Sequence, residues 1–222
     1  MRISHLPFIK ICCITSMDEA NRAISAGASA LGLVSSMPSG PGVIDDLLIA
    51  RIVASVPPPV ATFLLTAHRD AASIINQHRL CQTSTIQLVD SVELSELQKL
   101  RSNLTGIKIV QVIHVTDDSC VEKALAVSSL VDAILLDSGN QNLLVKELGG
   151  TGRTHDWDLS RRIRDEVNSP VFLAGGLNES NIATAIRAVQ PFGLDLCSSV
   201  RTGDRLDDQK LATFFEAVKQ AE

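Results

Sequence analysis

Short runs of branched apolar residues alternate along this chain with stretches in which apolar positions recur at helical spacing. The runs end at Cys12, Val34, Leu65, Val89, Ile113, Asp137, Ala174 and Cys197. They predict strands at Phe8–Cys12, Ala30–Val34, Val60–Leu65, Thr85–Val89, Lys108–Ile113, Ala133–Asp137, Val171–Ala174 and Leu194–Cys197. The first helix is expected from about Met17, capped by Thr15 or Ser16, with Asp18 and Glu19 in its first turn and Gly27 at its stop. Further helices are expected from Leu47 to the proline triplet 57–59, and over Arg69–Leu80, Val92–Arg101 and Val121–Leu130. The last three start at Trp157, at Glu179 (opened by Asn178) and at Asp207, the final one running to Ala221.

Strand followed by helix, eight times over, predicts an α/β fold: a closed (β/α)₈ TIM barrel, one domain spanning residues 1–222. An open doubly wound sheet is the competing architecture, and eight full units with a closing helix favour the barrel. A barrel gathers every strand's carboxy end around one mouth, so Cys12 and Asp137, far apart in sequence, become partners across a single pocket. Strand alternation puts Lys10 on the same face as Cys12, inside the barrel. A buried ammonium needs a partner, and Asp195 on the neighbouring strand eight is the candidate. Gly150-Thr-Gly152 lacks dinucleotide-fingerprint spacing, and there is no P-loop.

Composition narrows the partners. A formal charge of −5 offers no basic stripe, and 3% aromatics without a Tyr offer no base-stacking platform, so no nucleic-acid partner is expected. Cysteines 12, 13, 81, 120 and 197 are an odd set without Cys-x-x-Cys spacing, which argues against a disulfide framework or a zinc site and for a reducing cytoplasm. The opening MRISHLPFIKICC has no long apolar core ahead of a cleavage site. The most apolar stretch, Leu47 to Leu65, is interrupted by Arg51 and three prolines, so neither signal peptide nor membrane span is expected.

Six motifs occur in order: Lys10-Ile-Cys12, Gln87-Leu88, Leu135-Leu-Asp137-Ser138, Gly149-Gly-Thr-Gly-Arg-Thr-His-Asp-Trp157, Leu173-Ala-Gly-Gly-Leu-Asn178 and Asp195-Leu-Cys-Ser198. Together the chain resembles the phosphoribosylanthranilate isomerase family of tryptophan biosynthesis, from strand one to the last helix. By itself a free Cys is most often a small buried hydrophobe, and Asp137 could be a cap. The resemblance implies instead that Cys12 is the general base and Asp137 the general acid of an Amadori rearrangement, an aldose–ketose isomerisation needing no cofactor and no metal. It also implies a phosphorylated small-molecule substrate held by Gln87, by Gly150 in a loop that closes over the ligand, and by Gly175, Gly176, Ser198 and Ser199 at the phosphate corner. Glycines there let backbone approach the anion. A cytoplasmic monomer or homodimer is expected, with no membrane partner.

Departures from the family pattern cluster at the substrate's aromatic end. Ser39-Gly-Pro41 stands where the family has Ser-Pro-Arg, whose arginine grips the anthranilate carboxylate. Gln87-Leu-Val-Asp90 replaces Gln-Leu-His-Gly, Cys13 and Ser199 replace glycines, and His155, read as a solvent-facing loop residue, replaces Phe. His68, Arg69 and Arg153 are candidates for another grip. The altered loops leave open a paralogue acting on a different phosphorylated aminosugar or aldose, or a non-catalytic sugar-phosphate-binding barrel.

Overall fold

The structure is a computed structural model that describes residues 7–139, 148–149 and 152–221. Its barrel strands are β1 (Phe8–Ile11), β2 (Ala30–Val34), β3 (Ala61–Thr66), β4 (Thr85–Leu88), β5 (Lys108–His114), β6 (Ala133–Asp137), β7 (Val171–Leu173) and β8 (Gly193–Leu196). All pair in parallel and in order, and β8 returns to β1 in the register Lys10↔Asp195 and Ile11↔Leu196, which closes the barrel. The helices between them are α1 (Met17–Ala26), α2 (Asp46–Ser55), α3 (Ala71–Cys81), α4 (Leu94–Asn103), α5 (Ser119–Ser128), α6 (Trp157–Glu166), α7 (Ile182–Val189) and α8 (Asp208–Gln220). None of them is long and apolar enough to cross a membrane.

Side-chain oxygens set most helix starts. Ser16, Asp45, Asp70, Asp156 and Asp207 each accept a backbone N–H from the first turn, satisfying donors the helix itself cannot. α1 stops at Gly27, whose φ of 109° only glycine adopts freely. α7 begins later than the Glu179 start expected from sequence. Asn178 Oδ1 takes the Ser180 N–H and hydroxyl while Asn181 Oδ1 takes the Asn178 N–H, so residues 178–181 form a capped turn first. A short hairpin, β9 (Arg201–Thr202) with β10 (Arg205–Leu206), follows β8 and was not foreseen.

Strand side chains alternate between two cores. Outward positions such as Ile9, Ile11, Leu31, Leu64, Ile86 and Leu194 join the helices in the larger cluster. Inward positions form the smaller one, which includes Cys12, Ala30, Phe63, Val110, Leu135 and Phe172. At the amino-terminal end Phe172 meets Phe8, Phe63 and Phe192 at ring separations of 5.8, 6.0 and 5.5 Å. Gly193 makes room for it, since a methyl group there would come within 2.5 Å of the Phe172 ring. These rings fill the barrel interior at this end, whereas the interior opens at the carboxy-terminal mouth.

Candidate active site

Lys10 is fully buried inside the barrel, with its Nζ 2.8 Å from Asp195 Oδ2 and 5.3 Å from the Phe63 ring centroid. Burial opposes the ammonium, but the Asp195 carboxylate more than compensates and holds Lys10 protonated. Burial likewise pushes the Asp195 carboxyl up, while the 2.8 Å ion pair favours its ionised form, and we take the pair as charged. Gly32 on β2 is what allows Lys10 and Cys12 to sit together. A methyl group at Gly32 would lie 2.7 Å from Cys12 Sγ and 3.1 Å from Lys10 Nζ. A hydrogen bond from the Cys13 thiol holds the Cys12 thiol below its ordinary value; the Lys10 charge adds to this, and burial opposes it.

Asp137 ends β6 and is buried beside His114, its partner in register on β5. Burial is the main influence and pushes its carboxyl up, against the Ser138 N–H (2.7 Å) and the charges of His114 and Lys10. Gly149, with φ 144°, passes over it, and a methyl group there would stand 3.0 Å from Asp137 Oδ2. The two groups singled out from sequence therefore face one pocket with opposite tendencies: the thiol toward thiolate, the carboxyl toward the acid.

That pocket encloses about 680 Å³ including its open mouth, and it brings together Cys12, Asp137, Gln87, Gly175, Gly176, Ser198 and Ser199. Gln87 is buried, and its Oε1 has no hydrogen-bond partner among the described residues, as does Asp195 Oδ1. Gly175 and Gly176 have φ of 80° and 62°, and a methyl group on Gly176 would meet the Arg153 carbonyl carbon at 2.6 Å. Only glycine fits that crossing. Ser198 and Ser199 form a tight turn after β8. Gly150 lies outside the described residues, whereas Gly149 lines the pocket and so does Gly152. An apolar wall of Val34, Met37, Leu65, Val89, Leu135 and Leu148 faces these polar groups.

Among the described lining residues there is no Lys, Arg or His. His68 lies instead in a groove with Asp45, Asp46 and Gln77, Arg69 bonds to the Ser91 carbonyl, and the Arg153 backbone packs on Gly176. The substituted Asp90 is buried but does not line the pocket; its neighbour Val89 does. His155 corrects the expectation of a solvent-facing residue. It is half-buried, its Nε2 is 2.8 Å from Ser160 Oγ, and burial lowers its pKa to about 4.

Sequence reasoning missed a buried brace beneath the mouth. The Glu19 carboxylate accepts from Arg201 Nη1 (3.1 Å) and Nη2 (2.9 Å), the Leu206 N–H (2.8 Å), and the Thr15 N–H (2.9 Å) and hydroxyl (3.0 Å). Arg201 also donates to the Cys13 carbonyl. The brace joins the turn after β1 to the hairpin after β8, and its partners are too far apart in sequence for any local pattern to reveal them. Burial raises the Glu19 pKa, but these donors win and hold it at about 2. Lys210, also missed, borders a groove shared with Gly176, Ser198 and Ser199, beside the glycine–serine corner.

With this geometry in view, the likeness to known proteins is informative. Residues 9–217 match the family model described as N-(5'phosphoribosyl)anthranilate (PRA) isomerase. The chain is 32% identical to N-(5'-phosphoribosyl)anthranilate isomerase of Methanocella arvoryzae, over 95% of its own length and 97% of that protein's. It superposes on the phosphoribosyl anthranilate isomerase of Thermotoga maritima with a TM-score of 0.82 and 27% identity, covering 96% of this chain and 99% of that one. A further crystal structure, of a phosphoribosyl anthranilate isomerase in complex with reduced 1-(o-carboxyphenylamino)-1-deoxyribulose 5-phosphate, matches with a TM-score of 0.80 and 26% identity over 96% and 99%. From its first barrel strand into its last helix, this chain belongs to the N-(5'-phosphoribosyl)anthranilate isomerase family.

Proposed function

We propose that the protein isomerises N-(5'-phosphoribosyl)anthranilate to the corresponding 1-deoxyribulose 5-phosphate in tryptophan biosynthesis, with Asp137 as general acid and Cys12 as general base. The observation that carries this reading is the placement of both groups in one pocket with the glycine–serine corner. Protonated Asp137 gives its proton to the furanose ring oxygen, the C1–O bond breaks, and the anilino nitrogen lone pair forms the iminium. The Cys12 thiolate then removes the C2 proton, and that electron pair neutralises the iminium as an enolamine. Tautomerisation yields the ketone. Each step uses a group whose environment favours the protonation state required, and proton transfers of this kind contribute ~10²–10⁴ in rate each.

The phosphate would sit on backbone donors around Gly176, Ser198 and Ser199, with Lys210 adding charge from the rim. Gln87 would use its open amide oxygen on a sugar hydroxyl or the anilino N–H. The ring would lie against the wall from Val34 to Leu148, a contact that needs no cation. This assignment suits the ligand in the related crystal structure, a carboxyphenylamino group on a phosphorylated ribulose. A cytoplasmic location, and either a monomer or a homodimer, fit such an enzyme.

The test is the decay of substrate fluorescence with purified wild type, Cys12→Ser and Asp137→Asn. Turnover in wild type that falls at least ~10²-fold in each variant supports the pair. Retained turnover in either variant refutes that residue's role. Absence of turnover in wild type with sugar-phosphate binding intact would point to a different aminosugar substrate or to a binding protein.

A further inference from the structure

Two cysteines of the mouth have no part in the proton transfers, yet the fold brings them together. Cys13 follows the proposed base, and Cys197 follows β8. Both are free thiols, and the Cys197 thiol donates to the Cys13 sulfur at 2.6 Å, so the two sulfurs lie within reach of one another. The approach is built into the barrel closure. β1 and β8 pair in register, and the Cys12 N–H bonds to the Leu196 carbonyl at 2.7 Å. Cys13 then adopts φ 62°, a left-handed conformation that favours glycine and is strained for other residues. Arg201 pins this turn through the Cys13 carbonyl and lies within electrostatic reach of both thiols. Cys197 is the less buried of the two, and both line the pocket.

We propose that Cys13 and Cys197 are a modification site, a dithiol that low-molecular-weight disulfides oxidise to an intramolecular disulfide that reversibly turns off the adjacent base. The Cys197 thiolate attacks one sulfur of glutathione disulfide, giving a mixed disulfide and releasing one glutathione thiolate. Cys13, after losing its proton to solvent, attacks the Cys197 sulfur and expels the second. Two protein thiols are oxidised, one glutathione disulfide is reduced, and two glutathiones leave. The new bond removes the Cys13 proton that bonds to Cys12, so Cys12 loses the largest influence favouring its thiolate. The effect on turnover rests on the function proposed above; the formation of the bond does not.

The experiment incubates reduced, full-length protein with glutathione disulfide, then reads intact mass, the linked peptides, and kcat/KM before and after dithiothreitol. The expected result is a loss of about 2 Da, mapped to Cys13–Cys197, with kcat/KM reduced at least ~10-fold and restored by reductant. Cys197→Ser should not form this linkage and should keep its own reduced-state kcat/KM under the same oxidant. Cys12→Ser, whatever its turnover, should still form the link, which separates failure of this proposal from failure of the catalytic assignment. A linkage between Cys12 and Cys13, no linkage at all, or a Cys13–Cys197 bond that leaves kcat/KM unchanged would each overturn the proposal.

Discussion

The same strands build both ends of this barrel, but the two ends do opposite things. At the amino-terminal end the inward positions are Phe8, Phe63 and Phe172, packed edge to face or nearly so around the space that Gly193 leaves. At the mouth they are Cys12, Asp137, Asp195 and Cys197, with orphaned oxygens on Gln87 and Asp195 and a left-handed cysteine. The closed end is packed mainly by aromatic rings; the open end keeps buried polar groups short of partners and displaced from their usual protonation states. Such groups cost stability, and they can persist because the plug and the outer core over-determine the backbone that carries them.

That contrast can be broken most forcefully at the plug. Phe172→Ala removes a ring that touches three others and should cost ~3–5 kcal/mol in urea unfolding, while the kcat of the folded enzyme stays near wild type. A collapse of kcat with unchanged stability would show that the two ends are not separable. Glu19→Gln sharpens the boundary between them. Breaking the buried pair with Arg201 should cost about 3 kcal/mol near neutral pH, measured by thermal or urea unfolding. Because the folded-state pKa of Glu19 is depressed, its contribution is present above the unfolded value near 4.5 and is lost as pH falls toward about 2. The variant's stability should therefore be flatter across that acid range; an unaltered acid profile would remove Glu19 from the account.

The smallest expected effect is at Cys13. Replacing it by glycine relieves the positive φ and deletes the thiol that bonds to Cys12. With Cys12 as the proposed base and Asp137 as the proposed acid, the acid limb of kcat/KM should move to higher pH, whereas the limb assigned to Asp137 should stay in place. A profile that does not move would mean that the Lys10 charge alone sustains the thiolate.

Strand and helix identity was legible in the chain because period and capping are local: β2 and β6 were found to the residue, and Asp207 marked α8. Eightfold alternation then implied closure, and strand parity together with the adjacency of strands eight and one paired Lys10 with Asp195. Closure also sent the strand ends carrying Cys12 and Asp137 to one mouth. The sequence could not show the Glu19–Arg201 brace, the half-buried state of His155 or the meeting of Cys13 with Cys197. Nor could it show that His68, Arg69 and the Arg153 side chain stay out of the pocket lining. These depend on how loops of irregular backbone cross one another after the barrel has closed. The chain determines which elements form through interactions between near neighbours; distances between residues about 180 positions apart exist only once closure has placed β8 against β1.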